Sequence, residues 1–371
     1  MRYSDEFRDA AAVGRIVSRI GEYDGPAAAI MEVCGTHTMS AARFGLRSVL
    51  PPQVRLVSGP GCPVCVTDQR DIDSFLAVGR VPDVILASFG DMLRVPGSET
   101  SLERLRAAGT DVRVVYSPLD ALEIARDNPG SKVVFFAVGF ETTMPVTAIA
   151  LKAADESGVS NFFVFCCHKT MPAALRALLT MGEVNLSGLL LPGHVTTIIG
   201  AGAYDFIARE FGIPCAVAGF EPVDMLLGIE SILRQLRQGT ACIDNAYRRA
   251  VRDTPNQAAA ALLSEAFVPA DAVWRGLGAI PNSGVEIAPA FARLDAKAHF
   301  ADVIAAAESR QHVSADRRAS RCKCGEVLRG VLAPTDCPLF GTACTPSDPV
   351  GPCMVSSEGA CAAFFKYGGA T

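Results

Sequence analysis

Short apolar runs alternate with amphipathic stretches between residues 25 and 219. Because these runs are almost continuously apolar, they are typical of strands buried on both faces of a parallel sheet. Helical patterns at 101–108, 120–126 and 172–179 lie between them and indicate repeated βα units. The pattern therefore predicts an α/β fold. The predicted strands are 28–33, 54–57, 84–88, 112–116, 133–138, 162–166, 186–191 and 216–218.

Two strand-ending segments echo each other and indicate two similar sheets. Residues 136–141 read Phe-Ala-Val-Gly-Phe-Glu and residues 216–221 read Ala-Val-Ala-Gly-Phe-Glu, with a looser relative at 87–91. We predict two parallel-sheet βα domains, residues 24–130 and 131–225.

The pattern changes after Asp224. Amphipathic helices are predicted at 226–237, 241–251 and 257–267, and strand signals are scarce. We predict a third, helical and irregular domain from residues 1–23 and 226–371, organised around its cysteines.

Composition narrows the class of protein. Of the 371 residues, 50% are hydrophobic and 20% charged, which is a globular balance. The net charge is −5 and dense Lys/Arg runs are absent, which argues against nucleic acid or an anionic membrane as partner. The amino-terminal sequence lacks the apolar stretch of a secretory signal. We expect a soluble cytoplasmic protein.

The 13 cysteines are the main chemical excess. Without an export signal, a cysteine cluster in a chain of this length is more typical of metal binding or catalysis than of disulfides. Six of them lie in the last 50 residues: Cys322, Cys324, Cys337, Cys344, Cys353 and Cys361. Four others are predicted to be buried core thiols: Cys166, Cys167, Cys215 and Cys242.

Cys34 lies in Glu32-Val-Cys34-Gly-Thr-His37, between a predicted strand and a predicted helix. Ligands bind beyond the carboxyl ends of strands in open parallel sheets, and helix N–H groups favour a thiolate. His37 is then a candidate second ligand, proton donor or hydrogen-bond partner. The alternative is a structural cysteine beside a turn histidine.

Cys62 and Cys65 form a C-x-x-C pair ahead of a helix predicted to start near Asp68. This spacing is typical of redox-active dithiols, or of half a zinc site. Because no second C-x-x-C is present, redox chemistry or transient metal binding is favoured.

The tail cysteines can complete an iron–sulfur cubane, although their spacing matches neither ferredoxin pattern, and zinc is the alternative. Two weaker candidates follow strands. His194 faces the same cleft as Cys34 or caps a loop. Glu141, like Glu221, binds a partner or donates protons, or is a helix-start carboxylate.

Together these motifs resemble the hydrogenase maturation factor HypD family over nearly the whole chain. The resemblance rests on the segments 34–37, 59–65, 139–143, 192–194, 219–222, 322–325, 337–341 and 351–361. It implies a scaffold with thiol and iron–sulfur redox activity rather than a conventional metabolic enzyme. HypD proteins pair with the small chaperone HypC and hold an iron atom while cyanide and carbon monoxide are added. The cyanide comes from HypE, which HypF charges, and the Fe(CN)₂CO unit passes to the [NiFe]-hydrogenase large subunit.

The resemblance also implies residue roles. Cys34 is expected to bind the iron together with a HypC cysteine, close to His37, and Cys62 and Cys65 to be redox-active. The family's gaps of 14, 6 and 16 residues place a [4Fe–4S] cluster on four cysteines: Cys322, Cys337, Cys344 and Cys361. Cys324 and Cys353 become the adjacent dithiol, tuned by Glu358. We expect a relay from the cluster through both dithiols to Cys34.

Two other functions share these cysteines. A stand-alone iron–sulfur-dependent thiol/disulfide oxidoreductase leaves the Cys34–His37 motif and the His194 loop unexplained. A structural zinc-tail protein would contain zinc but neither iron nor sulfide.

Overall fold

The computed structural model of the chain describes residues 5–311 and 321–368. All eight predicted strands are present, and the described part of the chain contains three more. The strands are β1 (Ala28–Glu32), β2 (Val54–Ser58), β3 (Val84–Ser88), β4 (Val112–Val114), β5 (Lys132–Ala137), β6 (Phe162–Cys166), β7 (Gly188–Pro192), β8 (Cys215–Ala218), β9 (Ile243–Asn245), β10 (Phe267–Trp274) and β11 (Gly278–Ile287).

Helices follow most of the strands. The α-helices are α1 (Ala10–Gly21), α2 (Gly35–Arg43), α3 (Pro63–Val66), α4 (Gln69–Val78), α5 (Leu102–Ala107), α6 (Pro118–Asp127), α7 (Met144–Glu156), α8 (Met171–Met181), α9 (Gly193–Ile199), α10 (Asp205–Phe211), α11 (Pro222–Gln238), α12 (Gln257–Ala266), α13 (Ala296–His299), α14 (Ala301–Gln311), α15 (Cys324–Leu328), α16 (Pro352–Val355) and α17 (Ala360–Tyr367). Short 3₁₀ turns lie at Asp5–Phe7, Leu46–Val49, Gly90–Met92, Ala201–Tyr204, Pro289–Leu294 and Pro334–Asp336.

Two parallel sheets form the centre of the molecule. Sheet I has the strand order β2-β1-β7-β8-β9 and sheet II the order β4-β3-β5-β6. Strands β1, β3, β6, β7 and β8 are buried along their whole length, which explains their continuous apolar character. The predicted α/β class with parallel βα units and two sheets is confirmed.

The order of the strands along the chain does not follow the division into two sheets. Sheet I takes β1 and β2 and then β7 to β9, whereas sheet II takes the intervening β3 to β6. The predicted division at residue 130 therefore does not coincide with the division between sheets. Strands buried on both faces share one apolar pattern, so the pattern does not specify which of them pair.

The third region differs from the prediction in its strands. Residues 241–251, predicted as a helix, contain β9, the edge strand of sheet I. Strands β10 and β11 form an antiparallel hairpin where a helical and irregular region was expected. The helices α11 and α12 do match the predicted ones.

The predicted grouping of residues 1–23 with residues 226–371 brings together helix α1 and most of α11. Helix α1 packs on α11, and Ile16 and Ile20 join the hydrophobic core that covers one face of sheet I. The ion pair Arg19–Glu230 links the two helices at their exposed edge. Both helices thus belong with sheet I, because their apolar faces are buried there.

No helix within residues 5–311 or 321–368 combines the length and apolar character that a membrane span requires.

Trp274 anchors the hairpin. Its side chain is fully buried, stacks on Phe140 at 5.8 Å and donates from Nε1 to Ser283 Oγ at 2.9 Å. We expect Trp274→Ala to lower the free energy of unfolding by about 3–5 kcal/mol, because it leaves a cavity and removes the hydrogen bond to Ser283 Oγ. Urea unfolding measures this. Val268→Ala, at an exposed site in the same hairpin, should change it by less than about 0.5 kcal/mol.

Candidate functional site

The Cys34 loop and the Cys62 loop lie side by side because they follow neighbouring parallel strands. In the register of β1 and β2, Glu32 is opposite Ser58. Gly35 N–H donates to Gly61 O at 2.9 Å, and a Cβ on Gly61 would lie 2.3 Å from Cys34 Cα. Glycine at position 61 is therefore required by the close approach of two backbones.

Cys34 is the N-cap of α2 and is 8% exposed. Burial and the nearby Glu358 carboxylate raise the pKa of its thiol to about 11, against the weaker opposing effect of Thr36 and the His37 backbone. The helix N–H groups of Thr36 and His37 do favour the thiolate, as expected, but desolvation outweighs them.

His37 is held neutral under the carboxyl end of β8. Its Nε2 donates to Gly219 O (3.0 Å) and Ala218 O (3.2 Å), and burial lowers its pKa to about 4. Its Nδ1 is buried with no hydrogen-bond partner. The ring thus keeps a free lone pair for a metal, a proton or a ligand.

His194 lies on the same side of sheet I as His37. The Phe220 ring packs against both histidines, with ring centroids 3.9 Å from His194 and 4.8 Å from His37. The structure therefore places His194 next to the Cys34–His37 loop, and its role stays a prediction.

Five cysteine side chains form an unbroken series. The Cys65 thiol donates to Cys62 Sγ at 2.8 Å. On its other side, the Cys65 side chain lies next to that of Cys353. The Cys324 side chain lies between those of Cys353 and Cys322. The two predicted dithiols, Cys62/Cys65 and Cys324/Cys353, are thus direct neighbours.

The series is closed to solvent except at Cys322, which is partly exposed. Cys65 and Cys353 are 0% exposed and Cys62 is 3% exposed. Burial raises the pKa of Cys65 above its ordinary value. Buried neutral thiols exchange protons and electrons only with groups that touch them.

The hairpin tip holds the two thiol loops together. Arg275 N–H donates to Val66 O at 2.9 Å, next to Cys65 in the chain. Gly276, with φ +82°, lies so close to Gly325 that a Cβ would be 2.5 Å from its Cα. Sequence reasoning missed this contact because it did not predict the hairpin.

Four tail cysteines line one small cavity with Cys324 and Cys353: Cys322, Cys337, Cys344 and Cys361. Cys344 Sγ accepts a hydrogen bond from Val350 N–H at 3.3 Å, and a Cβ on Gly351 would lie 2.6 Å from Cys322 Sγ. Within the described residues, no three His, Cys, Asp or Glu side chains converge on one metal ion. The thiolates of a cubane bind different irons and surround it. Thiols around one cavity are the donor type that an iron–sulfur cluster takes.

The segment 356–358 joins the tail to both cysteine loops. Glu358 Oε1 accepts from Thr36 Oγ1 at 2.7 Å, and burial raises its pKa. Ser356 Oγ accepts from the Cys62 thiol at 3.4 Å and donates to Asp91 Oδ2 at 3.3 Å. The sequence analysis named Glu358 but missed Thr36, Ser356 and Asp91. Asp91 lies in the looser echo at 87–91, which was the available signal.

The strand residue two positions before Cys34, Glu32, forms a buried ion pair. The Glu32 carboxylate is fully buried and accepts from Arg47 Nη2 (2.8 Å) and Thr38 Oγ1 (2.8 Å). Arg47 also packs over the Phe364 ring of α17 at 4.8 Å. The pair was missed, although Glu32 opens the motif that contains Cys34.

The structure separates the other candidates from the thiol series. Glu141 follows β5 in sheet II, where Oε1 accepts from Met171 N–H at 2.9 Å and Oε2 is buried without a partner. Cys166, Cys167 and Cys215 are buried as predicted, but Cys242 is exposed. Cys242 precedes the edge strand β9, where a buried helix was expected.

Taken together, the fold and these side chains define an α/β protein with a buried thiol centre between loops of its first sheet and its tail. Residues 11–368 match the profile of HypD, described as the "Hydrogenase formation hypA family". Hydrogenase maturation factor HypD of Rhodobacter capsulatus is 45% identical over 378 residues, covering 100% of this chain and 99% of that protein. Its counterpart in Escherichia coli K12 is 45% identical over 375 residues (99% and 98%). That of Cupriavidus necator is 43% identical over 378 residues (99% and 97%). The chain belongs to the HypD family of hydrogenase maturation factors.

The buried carboxyl group of Glu141 makes the free energy of unfolding depend on pH. Burial raises its pKa from 4.5 to about 7, so the folded protein keeps a proton that the unfolded chain loses. The free energy of unfolding should therefore fall as pH rises from about 4.5 to 7, by an amount on the order of 3 kcal/mol.

Urea unfolding across this range compares wild type with Glu141→Gln, in which the contribution of Glu141 to the slope should vanish. Glu221→Gln, at the equivalent position of the other Gly-Phe-Glu segment, is the matched control and should keep that contribution. Equal slopes for wild type and Glu141→Gln would contradict the assignment.

Proposed function

We propose that this chain, with a HypC-type chaperone, is the scaffold on which an iron atom receives cyanide and carbon monoxide to become the Fe(CN)₂CO unit of [NiFe]-hydrogenase. The observation that carries the proposal is the continuous thiol series packed against the Cys34 loop. Gly35 is the point of contact, because a Cβ there would lie 3.2 Å from Cys62 Cβ and 2.5 Å from Glu358 O.

Cys34 is proposed to bind the substrate iron together with a cysteine of the chaperone. Its thiol is protonated at neutral pH in the protein alone, because burial and Glu358 raise its pKa. Iron binding must then release this proton, and the metal charge offsets the cost of a buried thiolate. Soft thiolate ligands suit a low-valent iron that carries cyanide and carbon monoxide. The free Nδ1 of His37 is available beside it.

Four cysteines are proposed to hold a [4Fe–4S] cluster: Cys322, Cys337, Cys344 and Cys361. When bound, such a cluster supplies single electrons to neighbouring groups. The Cys344 hydrogen bond from Val350 and the close packing of Gly351 against Cys322 shape the cavity for it.

The two dithiols are proposed to store electron pairs beside the iron. Each pair becomes a disulfide when it gives up two electrons and two protons. Because the Cys65 and Cys353 side chains are neighbours, an oxidised pair can be reduced by the other pair through thiol–disulfide exchange, without a diffusing carrier.

The proposed partners are the chaperone, a HypE-type cyanide donor and, indirectly, the hydrogenase large subunit. A stand-alone protein-disulfide reductase needs an accessible attacking thiol. Cys62, Cys65 and Cys353 are nearly fully buried, which favours the scaffold.

The first test replaces the proposed iron ligand. We expect Cys34→Ser, isolated anaerobically with the small chaperone, to lack the cyanide and carbon monoxide infrared bands, because serine oxygen is a poor ligand for low-valent iron. Cys242→Ser, at the exposed cysteine, is the control and should show both bands. Bands of normal intensity in Cys34→Ser would refute the proposal.

The second test addresses the dithiol. Cys62→Ala should leave the visible absorbance of the cluster intact and abolish hydrogenase maturation in cells, since the electron-pair store next to Cys34 is gone. Cys242→Ala should mature hydrogenase normally. Full hydrogenase activity with Cys62→Ala would show that the relay through Cys62 and Cys65 is not used.

A further inference from the structure

The buried Cys62/Cys65 pair needs a path for its protons. Converting two thiols to a disulfide releases two electrons and two protons, and the reverse reaction takes them back. Neither sulfur reaches water, since Cys62 is 3% and Cys65 0% exposed. A thiolate without a proton acceptor nearby would be a desolvated charge, which is costly. A polar group must therefore touch the pair.

We propose that Ser356 and Asp91 form the proton path between this dithiol and solvent. The Cys62 thiol donates to Ser356 Oγ at 3.4 Å, and Ser356 Oγ donates to Asp91 Oδ2 at 3.3 Å. Ser356 is 1% exposed, whereas Asp91 is on the surface. The path thus leads from a closed thiol through one hydroxyl to an exposed carboxylate.

Hydrogen bonds to and from Ser356 Oγ fix the orientation of its hydroxyl group. Glu358 N–H donates to Ser356 Oγ at 3.2 Å, so the oxygen has two donors directed at it and one acceptor, Asp91. This arrangement directs the hydroxyl proton toward the carboxylate. Asp91 itself belongs to the 3₁₀ turn after β3 of sheet II, so the path joins sheet II to the thiol loop of sheet I.

The proton movements balance. As Cys62 loses its proton to Ser356 Oγ, the Ser356 hydroxyl proton passes to the Asp91 carboxylate, which then releases it to water. The Cys62 thiolate left behind accepts from the Cys65 thiol (2.8 Å) and from Cys65 N–H (3.3 Å). With a small disulfide as oxidant, the Cys62 thiolate attacks one of its sulfurs and displaces a thiolate, which takes a proton from water. Cys65 then attacks the Cys62 sulfur, closes the Cys62–Cys65 disulfide and displaces the second thiolate, which takes the Cys65 proton as it leaves.

Ser357 provides a matched control. Its hydroxyl also donates to Asp91 Oδ2 at 3.3 Å, but the residue is exposed and this hydrogen bond does not involve a cysteine. Removing the Ser357 hydroxyl disturbs the same carboxylate without interrupting the path from Cys62.

The inference rests on the proposed redox role of Cys62 and Cys65, and the test separates the two. The full-length protein is reduced and treated with dithiodipyridine, a small chromogenic disulfide, and peptide mapping follows formation of the Cys62–Cys65 disulfide. We expect Ser356→Ala and Asp91→Asn to form it at least about tenfold more slowly than wild type. Ser357→Ala and Ser356→Thr should stay within about twofold of wild type.

A purely structural role of Ser356 would not change the solvent isotope effect. In D₂O the wild-type rate should fall by about twofold or more, and small imidazole buffers should accelerate Ser356→Ala but not wild type. If wild type forms no Cys62–Cys65 disulfide, the proposed dithiol function fails. If it does and the Ser356→Ala rate equals wild type, the proton path is overturned. Should Ser356→Ala not fold, a wild-type rate in Asp91→Asn overturns the path equally.

Discussion

The close approach of three backbones at the carboxyl ends of β1 and β2 is the constraint on which the site depends. Gly35 lies against Glu358, Gly61 against Cys34, and Gly359 against Cys353, where a Cβ would be 2.1 Å from the carbonyl oxygen. A side chain at any of these positions would push apart the loops that carry the cysteines. Glycine allows the backbones to lie close together. It loses more conformational entropy on folding than other residues, and the surrounding hydrophobic core offsets this loss.

Burial determines the chemistry of these thiols. Cys34 and Cys65 have raised pKa values because desolvation disfavours their charged forms. His37 is neutral and Glu358 holds its proton more tightly for the same reason. In such an environment electron movement is coupled to proton movement. Thiols in such a site become reactive when a metal or a partner compensates the charge of the thiolate, or when a hydrogen-bonded path removes its proton.

Much of the fold could be predicted from the sequence, because local signals carry it. Buried strands of sheets I and II are continuous apolar runs, and Asp68, the predicted helix start, is indeed the N-cap of α4, with its side chain accepting from Arg70 N–H. Strand pairing could not be predicted, since all these strands look alike. The hairpin of β10 and β11 was missed because Pro269, Gly278 and Gly284 weaken its strand signal.

The candidate site, too, could be predicted only in part from the sequence. Its cysteines stand out through residue type and spacing, but their neighbours are contacts between distant segments. Ser356 and Asp91 are 265 residues apart in the chain, and nothing in the local sequence of either indicates that the two are in contact. The environment of Cys34 was predicted only in part, because the nearby helix N–H groups can be read from the sequence whereas the degree of burial cannot.

The alternation of the chain between its two sheets has a consequence for biosynthesis. Sheet II is assembled from one uninterrupted stretch, β3 to β6, whereas sheet I needs β7 to β9 to join β1 and β2. A ribosome therefore releases the amino-terminal cysteine loops long before their neighbours near the carboxyl terminus exist. The amino-terminal and carboxyl-terminal sulfurs stay apart in the nascent chain and meet only when translation ends, so premature cross-links between the two groups are avoided by the order of synthesis itself.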